Sequence, residues 1–400
     1  MSEVTTDKKF EFHKEDLMPQ ESIQEKITRA CDLMEDIYDQ GEYPKVLVRR
    51  SWSRHNPVID GEMAKPKAYR WYLQRELTKL AEKGAYIKVQ PSRKIVPMND
   101  PSLLDNTDED EWDITQKKLF LFSPERIDLS LNRLEHYTGT KPEDFQRYIL
   151  FTNYDMHVEV FNNKYPDCIK PNRGGIQMPA YHHVLPDNKG VTLINIGVGP
   201  SNAKTITDHV AVLRPDAMVM VGHCGGLRNH QSIGDFVLAT GFLRADGVLD
   251  DILPLNIPIT PNYLLNVYLK EVLDKYDRSH RMGTVYTTSN RNWEFIKRRT
   301  VEEIHMSRSI AIDMESATVA TNGYRYRIPN ATLLCVSDRP LHGKPKLSDE
   351  AQSFYEESKQ MHLEMVIEAL EMCKQNYPEG LPNASIRAPN EPLMGGPDDD

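Results

Sequence analysis

From about residue 141 onward, the sequence alternates short apolar runs with longer segments of helical spacing, and this alternation constrains the fold more than any other feature. It predicts a sheet covered by helices on both faces. The predicted strands are residues 148–152, 191–196, 217–221, 235–239, 283–287, 310–312 and 332–336. The expected fold class is therefore α/β, with a mixed, mainly parallel sheet flanked by helices.

The first third of the sequence has a different pattern. Helical spacing of apolar residues predicts helices over residues 21–40 and 67–83, and short apolar runs predict strands over 45–48 and 85–89. A smaller α+β domain is therefore expected here, and its acidic stretch at residues 105–113 is expected to be a loop. The expected organisation is a disordered tail (1–20), the N-terminal α+β domain (21–140), the α/β domain (141–381) and a flexible acidic tail (382–400).

Composition narrows the class of protein. A chain of 400 residues exceeds the usual size of one hydrophobic core, and a net charge of -10 argues against a nucleic-acid polymer as partner. No apolar run approaches the roughly 18 residues of a membrane span, and the polar N-terminus lacks a secretory signal. The five scattered cysteines predict reduced thiols. Together these features predict a cytoplasmic protein without a membrane partner.

Two carboxylates directly follow predicted strands. Glu315 comes after the run at 310–312, and Asp338 comes after the run at 332–336. In open α/β sheets, ligands bind outside the carboxyl ends of the strands. Both acids are therefore candidate catalytic residues, one to bind a polar group and the other to exchange a proton. The alternatives are structural: Glu315 as a favourable charge at a helix N-terminus, and Asp338 as the cap of a turn.

A glycine-containing loop follows the predicted strand at 191–196. Glycines let a ligand approach the backbone, and the helix predicted to begin at Pro200 offers free N–H groups to an anion. The loop lacks the third glycine of a dinucleotide-binding motif, so an ordinary strand–helix turn is the alternative. The candidate substrate-binding residues here are Gly197, Val198, Gly199, Ser201 and Asn202.

A second glycine-rich loop, residues 219–227, contains three further substrate-binding candidates, His223, Cys224 and Gly225. Its glycines are expected to leave backbone room beside a planar or phosphorylated group. We expect Cys224 to be an apolar wall residue and not a nucleophile, and a buried structural role is the alternative for His223. No zinc-binding spacing of histidines and cysteines occurs, so no metal site is predicted.

Five segments of the second domain together resemble the AMP nucleosidase family, a branch of the purine nucleoside phosphorylase and nucleosidase superfamily. They are residues 197–204, 222–227, 291–294, 313–317 and 336–343. The resemblance continues in the first domain at residues 49–52, 70–80, 89–92 and 133–140, so it covers nearly everything except the tails. Several ordered motifs over about 300 residues are more specific than any single loop.

The resemblance implies a nucleoside phosphorylase-like fold and hydrolysis of AMP to adenine and ribose 5-phosphate, with no cofactor required for the chemistry. Asp338 matches the residue that protonates N7 of the purine. Glu315 matches the residue that binds the ribose hydroxyls, with Met314 beside the sugar. The loop at 222–227 lies where the superfamily holds the base, and Trp293 matches its base-stacking aromatic residue.

The sequence departs from the phosphorylases of this superfamily in ways that favour water as the nucleophile. His223 stands where they have a phosphate-binding serine, and Met220 stands where some have an arginine. Residues 152–155 lack a glutamate matching the water-activating acid of related nucleosidases, so the residue that orients water is not assigned. The alternatives are a phosphorylase, a nucleosidase for neutral nucleosides and a non-catalytic AMP-binding sensor.

Specificity for a 5′-phosphate requires local cations, and the candidates are Lys204, Arg291, Arg339 and Lys344. The resemblance also implies that residues 21–140 are regulatory, with MgATP as an activator and phosphate as an inhibitor. It further implies a homo-oligomer, with a hexamer as the expected assembly.

Overall fold

The computed structural model describes residues 9–18, 20–50, 58–95, 122–342 and 348–382. The chain divides into two compact units between Arg133 and Leu134. The predicted loop at 105–113 and the predicted acidic tail beyond residue 382 lie outside the described residues. Within the described ranges, no helix is both long enough and apolar enough to cross a membrane.

The N-terminal unit contains a four-stranded sheet in the order β1-β4-β2-β3, and all of its pairings are antiparallel. The stretch predicted to be disordered includes strand β1, which is ordered because it pairs with β4 and buries Phe12. The elements are β1 (Phe10–Phe12), α1 (Ile23–Asp39), β2 (Glu42–Arg49), β3 (Val58–Glu62), α2 (Arg70–Glu82), β4 (Tyr86–Ile95) and the first part of α3 (Pro124–Thr138).

Helix α1 illustrates how the local sequence determines an element. The side chain of Ser22 accepts a hydrogen bond from the N–H of Glu25 (3.1 Å), and the side chain of Glu25 accepts one from the N–H of Ser22 (3.0 Å). This capping box satisfies two backbone donors that a helix start otherwise leaves without partners. The apolar residues at helical spacing form one buried face, which consists of Ile27, Ala30, Cys31, Met34 and Ile37.

The second unit alternates strands and helices as predicted. Each predicted strand is present, and one further strand, β6, forms from a polar sequence at the edge of the sheet. The elements are β5 (Tyr148–Thr152), α4 (Asp155–Lys164), β6 (Ala180–His183), β7 (Val191–Asn195), α5 (Pro200–Val210), β8 (Ala217–Gly226), β9 (Phe236–Ala245), α6 (Tyr263–Lys275), β10 (His280–Thr288), α7 (Lys297–Ser307), β11 (Ala311–Asp313), α8 (Ser316–Arg325), β12 (Asn330–Asp338) and α9 (Ser348–Asn376).

The eight strands of this unit form one sheet in the order β11-β10-β9-β12-β8-β5-β7-β6. Most pairings are parallel, whereas β12–β9, β6–β7 and β11–β8 are antiparallel. The β11–β8 pairing closes β8, β12, β9, β10 and β11 into a ring of five strands. The predicted mixed, mainly parallel sheet is confirmed. Apolar residues of its strands form the main core with α4, α6 and α9.

Candidate active site

Gly225 of β8 lies between β12, which ends at Asp338, and β11, which ends two residues before Glu315. Its partner on β12 is Asp338, and its partner on β11 is Ile312, one residue before Asp313. A Cβ atom on Gly225 would approach Cγ2 of Ile312 to 3.0 Å and Cγ of Pro340 to 3.2 Å. Packing of Ile312 and Pro340 therefore favours glycine at this position.

Glu315 is buried at the start of α8, and both of its carboxylate oxygens accept hydrogen bonds. The backbone N–H of Gly199 donates to Oε1 (2.6 Å), and Nδ2 of Asn153 donates to Oε2 (3.2 Å). Burial raises the pKa of Glu315, and the neighbouring carboxyl of Asp313 raises it further. The two donors fix the carboxylate and leave lone pairs that suit a pair of ligand hydroxyls.

The loop between β7 and α5 adopts conformations that favour glycine. Gly197 has a φ of 66°, and Gly199 has a φ of 116° with a ψ of 153°, a region that is essentially restricted to glycine. Nδ2 of Asn202 donates to the carbonyl oxygen of Ile196 (3.0 Å), which ties the helix to the end of the strand. These three predicted site residues therefore shape the loop. The other two, Val198 and Ser201, are exposed.

Asp313 fixes the backbone that carries Glu315. Its Oδ2 accepts from the N–H of Ser316 (2.9 Å), and its Oδ1 accepts from the hydroxyl of Thr287 (2.6 Å). The oxygen of Thr287 in turn accepts from the N–H of Ala317 (3.0 Å). Asp313 thus caps α8, and burial raises its pKa. This role of Asp313 was not predicted from the sequence, although Asp313 directly follows a predicted strand.

Asp338 ends β12 and is only partly buried. The hydroxyl of Ser337 donates to its Oδ1 (2.7 Å) and lies 3.4 Å from the carbonyl oxygen of Cys224. The strand register shifts between Val336 and Asp338, so that Asp338 lies opposite Gly225. Such irregularities occur next to active sites, where they change the direction of a side chain. Partial exposure is what a group that exchanges a proton with a ligand requires.

His223 and Cys224 are buried in β8. The ring centroid of His223 lies 4.4 Å from that of Tyr154, 5.7 Å from that of His157 and 5.8 Å from that of His362. Burial raises the pKa of the Cys224 thiol well above its usual value, so the thiol is protonated at neutral pH. This environment disfavours Cys224 as a nucleophile.

Trp293 is buried in an apolar cluster, and Met314, between Asp313 and Glu315, is partly buried. Trp293 shares this cluster with Ile312, the residue that directly precedes Asp313. Base stacking by Trp293 stays a prediction. The apolar cluster around it contains Leu227, Tyr286, Ile304 and Ile312.

The predicted phosphate-binding cations have different surroundings. Lys204 forms an ion pair with Asp208, one turn along α5 (Nζ–Oδ2 2.7 Å). Nη2 of Arg339 donates to a backbone carbonyl oxygen (2.7 Å), whereas the side chain of Arg291 is exposed. Lys344 lies outside the described residues. Two of the candidates therefore already have partners that a phosphate would have to replace.

Asn153 is a site residue that sequence analysis missed. Its Nδ2 donates to Glu315, which leaves Oδ1 as an acceptor. That oxygen is buried and has no hydrogen-bond donor among the described residues. It would lie 3.6 Å from a Cβ atom on Gly222. A buried acceptor without a hydrogen-bond donor indicates a place where a hydroxyl group or a water molecule binds. The available signal was its position directly after the strand at 148–152.

Comparison with known proteins first defines the class. A model of the phosphorylase superfamily matches residues 165–371, about half of the chain. The crystal structure of a uridine phosphorylase from Vibrio fischeri ES114 superposes with a TM-score of 0.50, 15% sequence identity, and coverage of 58% of this chain and 93% of that one. At this identity the likeness shows the fold alone, which is that of the nucleoside phosphorylases.

Two further relatives narrow the class. AMP nucleosidase from Escherichia coli K12 is 39% identical over 396 residues, covering 82% of each chain. The crystal structure of AMP nucleosidase from Bacteroides thetaiotaomicron VPI-5482 is 31% identical, with a TM-score of 0.53, and covers 63% of this chain and 99% of that one. The chain therefore belongs to the AMP nucleosidase family of the phosphorylase superfamily, which confirms the resemblance found in the motifs.

Proposed function

We propose that this chain hydrolyses the N-glycosidic bond of AMP to give adenine and ribose 5-phosphate. The observation that carries the proposal is the placement of two acids around Gly225: Asp338 is its partner on one side, and Glu315 follows its partner strand on the other. The family relationship supports AMP as the substrate, because two relatives that match most of this chain are AMP nucleosidases.

Asp338 acts as the general acid. Adenine is a poor leaving group as an anion, so a proton delivered to N7 lowers the barrier to breaking the C1′–N9 bond. Positioned acids of this kind contribute about 10²–10⁴-fold to the rate. Asp338 is partly exposed at a strand end, and the hydroxyl of Ser337 donates to its Oδ1.

Glu315 binds the 2′- and 3′-hydroxyls of the ribose. The donors Gly199 and Asn153 hold its carboxylate in place before the sugar arrives, so little reorganisation is needed in the transition state. Its negative charge also favours the cationic sugar that forms as the bond breaks. Met314 lies beside the sugar, and the loop containing Cys224 and Gly225, together with Trp293, forms the base site in this proposal.

Water is the nucleophile in this proposal. A phosphorylase must hold a phosphate dianion with donors and cations, whereas the two positions in question carry a buried imidazole, His223, and a buried thioether, Met220. The Oδ1 atom of Asn153 supplies a buried acceptor that suits a water or a sugar hydroxyl. Recognition of the 5′-phosphate is assigned to one or more of Lys204, Arg291, Arg339 and Lys344.

The regulatory part of the proposal rests on the family relationship. In this proposal, residues 21–140 form the regulatory domain. MgATP activates the enzyme, and phosphate inhibits it. The protein assembles into a homo-oligomer, with a hexamer as the expected state. A cytoplasmic location is supported by the five cysteines, all of which are free and buried.

Product analysis tests the proposal. Purified protein is mixed with AMP, with and without excess phosphate, and adenine and the sugar phosphates are separated by chromatography. We expect ribose 5-phosphate under both conditions. Ribose 1,5-bisphosphate would indicate the phosphorylase, and faster cleavage of adenosine would indicate a neutral-nucleoside nucleosidase. Binding of AMP without any adenine release would indicate a sensor.

A further inference from the structure

Three buried histidines from separate elements meet within the second unit. His157 comes from α4, His223 from β8 and His362 from α9. Each can offer one ring nitrogen such that these atoms all lie within 4.8 Å of one another. The site proposed above does not assign His157 or His362 any role.

Hydrogen bonding determines which nitrogen of His362 is available to bind a ligand. Its Nε2 lies 3.0 Å from the carbonyl oxygen of Leu333, and because a carbonyl can only accept, Nε2 carries the hydrogen. Its Nδ1 therefore has a lone pair that can accept a hydrogen bond. This atom is buried and has no hydrogen-bond donor among the described residues. A fully buried lone pair without a partner is costly, so it indicates a bound group.

His157 has a matching arrangement. Its Nδ1 lies 2.7 Å from the hydroxyl oxygen of Thr152, and its Nε2 is buried without a hydrogen-bond partner among the described residues. Histidines that ligate metals usually use the second ring nitrogen in this way, to bond a carbonyl or another polar group that fixes the tautomer and the ring orientation.

The spacing of the rings fits a metal ion. The three centroid separations are 5.1, 5.7 and 5.8 Å. Imidazole nitrogens about 2.1 Å from a tetrahedral ion lie about 3.4 Å from each other. The facing nitrogens would therefore have to move inward by less than about 1 Å each to reach this spacing. Rotations of side chains suffice for such a movement.

We propose that His157, His223 and His362 bind a divalent transition-metal ion, with Zn²⁺ as the preferred ion. Three imidazole nitrogens suit zinc, cobalt and nickel, whereas magnesium and calcium prefer oxygen ligands. Three protein ligands leave one coordination position for water or hydroxide. The ion would fix the side chain of His223 beside Tyr154. Tyr154 directly follows Asn153, the first residue after β5. The proposal does not depend on which substrate the enzyme cleaves.

Metal content and thermal stability test the proposal on the full-length protein. The protein is stripped with a chelator, loaded with ZnCl₂ or CoCl₂, passed through a desalting column and measured by mass spectrometry of metals. We expect about one ion per chain, visible d–d absorption with Co²⁺, and a rise in Tm on addition of Zn²⁺ but not of Mg²⁺. Wild-type protein that holds no ion and shows no Tm shift would overturn the proposal and indicate a buried water instead.

Variants locate the site. His157→Gln and His362→Gln should each lower zinc occupancy at least about tenfold and remove the zinc-dependent rise in Tm. The matched control is His182→Gln, because His182 is equally buried but has hydroxyl partners at both ring nitrogens, Thr192 at 2.9 Å and Thr140 at 2.8 Å. This variant should keep full occupancy. Equal zinc binding by all three variants would overturn the assignment of the ligands.

Discussion

Glu315 and Asp313 show how two buried carboxyls influence each other. They are two residues apart, at the start of α8, and both have a raised pKa because burial disfavours their charged forms. Ionised Glu315 is the form that can accept hydrogen bonds from both ribose hydroxyls. Activity is therefore expected to rise with pH as Glu315 loses its proton, and the negative charge of Asp313 moves that rise to higher pH.

Asp313→Asn should shift the acid limb of the kcat/KM profile to lower pH. The amide keeps the size of the side chain and an oxygen that can accept from the N–H at the start of α8. It removes the charge beside Glu315. The pH profiles of the wild type and the variant are both measured with AMP. Ionisation of the substrate phosphate then affects both profiles equally. Asp246→Asn is the control, because Asp246 is also buried but bonds Thr318. An unchanged limb in Asp313→Asn would exclude this charge as a cause.

Asp338→Asn should lower kcat by about 10²–10⁴-fold and leave KM within about tenfold. Asparagine preserves the size of the side chain, but its amide cannot deliver a proton to N7. Steady-state release of adenine measures both constants. Ser337→Ala, which removes only the hydroxyl that donates to Asp338, should cause a smaller loss. Turnover by Asp338→Asn near that of the wild type would contradict the assignment of the acid.

Single residues also show where sequence reasoning ends. Glu315 and Asp338 were found because each follows an apolar run, and their positions are local properties of the sequence. The ion pair of Lys204 with Asp208 spans one helical turn and could have been read from the same helix. The meeting of His157, His223 and His362 could not, because it depends on how three distant elements pack.

At the scale of elements, the loop between β7 and α5 connects backbone conformation to the site. Gly199 has a φ of 116° and donates its N–H to Glu315. An added methyl group would meet no atom within 4 Å. Any effect of a substitution there therefore arises from the backbone and not from a clash.

Gly199→Ala should cost about 1–3 kcal/mol of stability and should also raise the KM for AMP. The strained backbone moves the N–H that holds Glu315. Thermal unfolding and steady-state kinetics measure the two effects. Gly175→Ala is the matched control, because Gly175 also has a positive φ (70°) with no atom within 4 Å of an added Cβ, and it should lose stability without a change in KM. Equal kinetics in both variants would contradict a role for this loop.

Strand β8 shows why some elements were predicted only in part. Its predicted range, 217–221, is the apolar half, and the strand continues to Gly226. The second half contains three glycines, which have low strand propensity. It is nevertheless a strand because its backbone pairs with β12 and β11. Strand β5 was predicted with its observed bounds, Tyr148–Thr152, because an apolar run of this kind requires no distant partner to be recognised.

At the scale of the whole molecule, the division into two units guides a test of regulation. The division falls inside α3, and Thr140, beyond that helix, bonds the buried His182 of the second unit. A truncation that begins at residue 141 would remove this partner. Removal of residues 1–122 instead keeps α3 complete.

The truncated protein, residues 123–400, should keep basal hydrolysis of AMP and lose its response to MgATP. An effector changes activity only through different affinities for two states, and the removed residues include most of the proposed effector domain, residues 21–140. Adenine release is measured with and without MgATP, and circular dichroism checks that the truncated protein is folded. A folded truncation with the response of the full chain would place the effector site in the second unit.

The ring of five strands has a consequence for the order in which the molecule assembles. The pairing of β11 with β8 joins segments far apart in the chain, and contacts of this kind form slowly because a long loop must close first. Gly225 of β8 is paired both with β12, which ends at Asp338, and with β11, which precedes Glu315, only when the ring is complete. After dilution from denaturant, enzymatic activity should therefore recover later than the circular dichroism signal, in the presence of a prolyl isomerase that removes slow proline steps. Simultaneous recovery would contradict this order. The ability to cleave a substrate would then mark the last step of folding, and an incompletely folded chain in the cell would be inactive toward AMP.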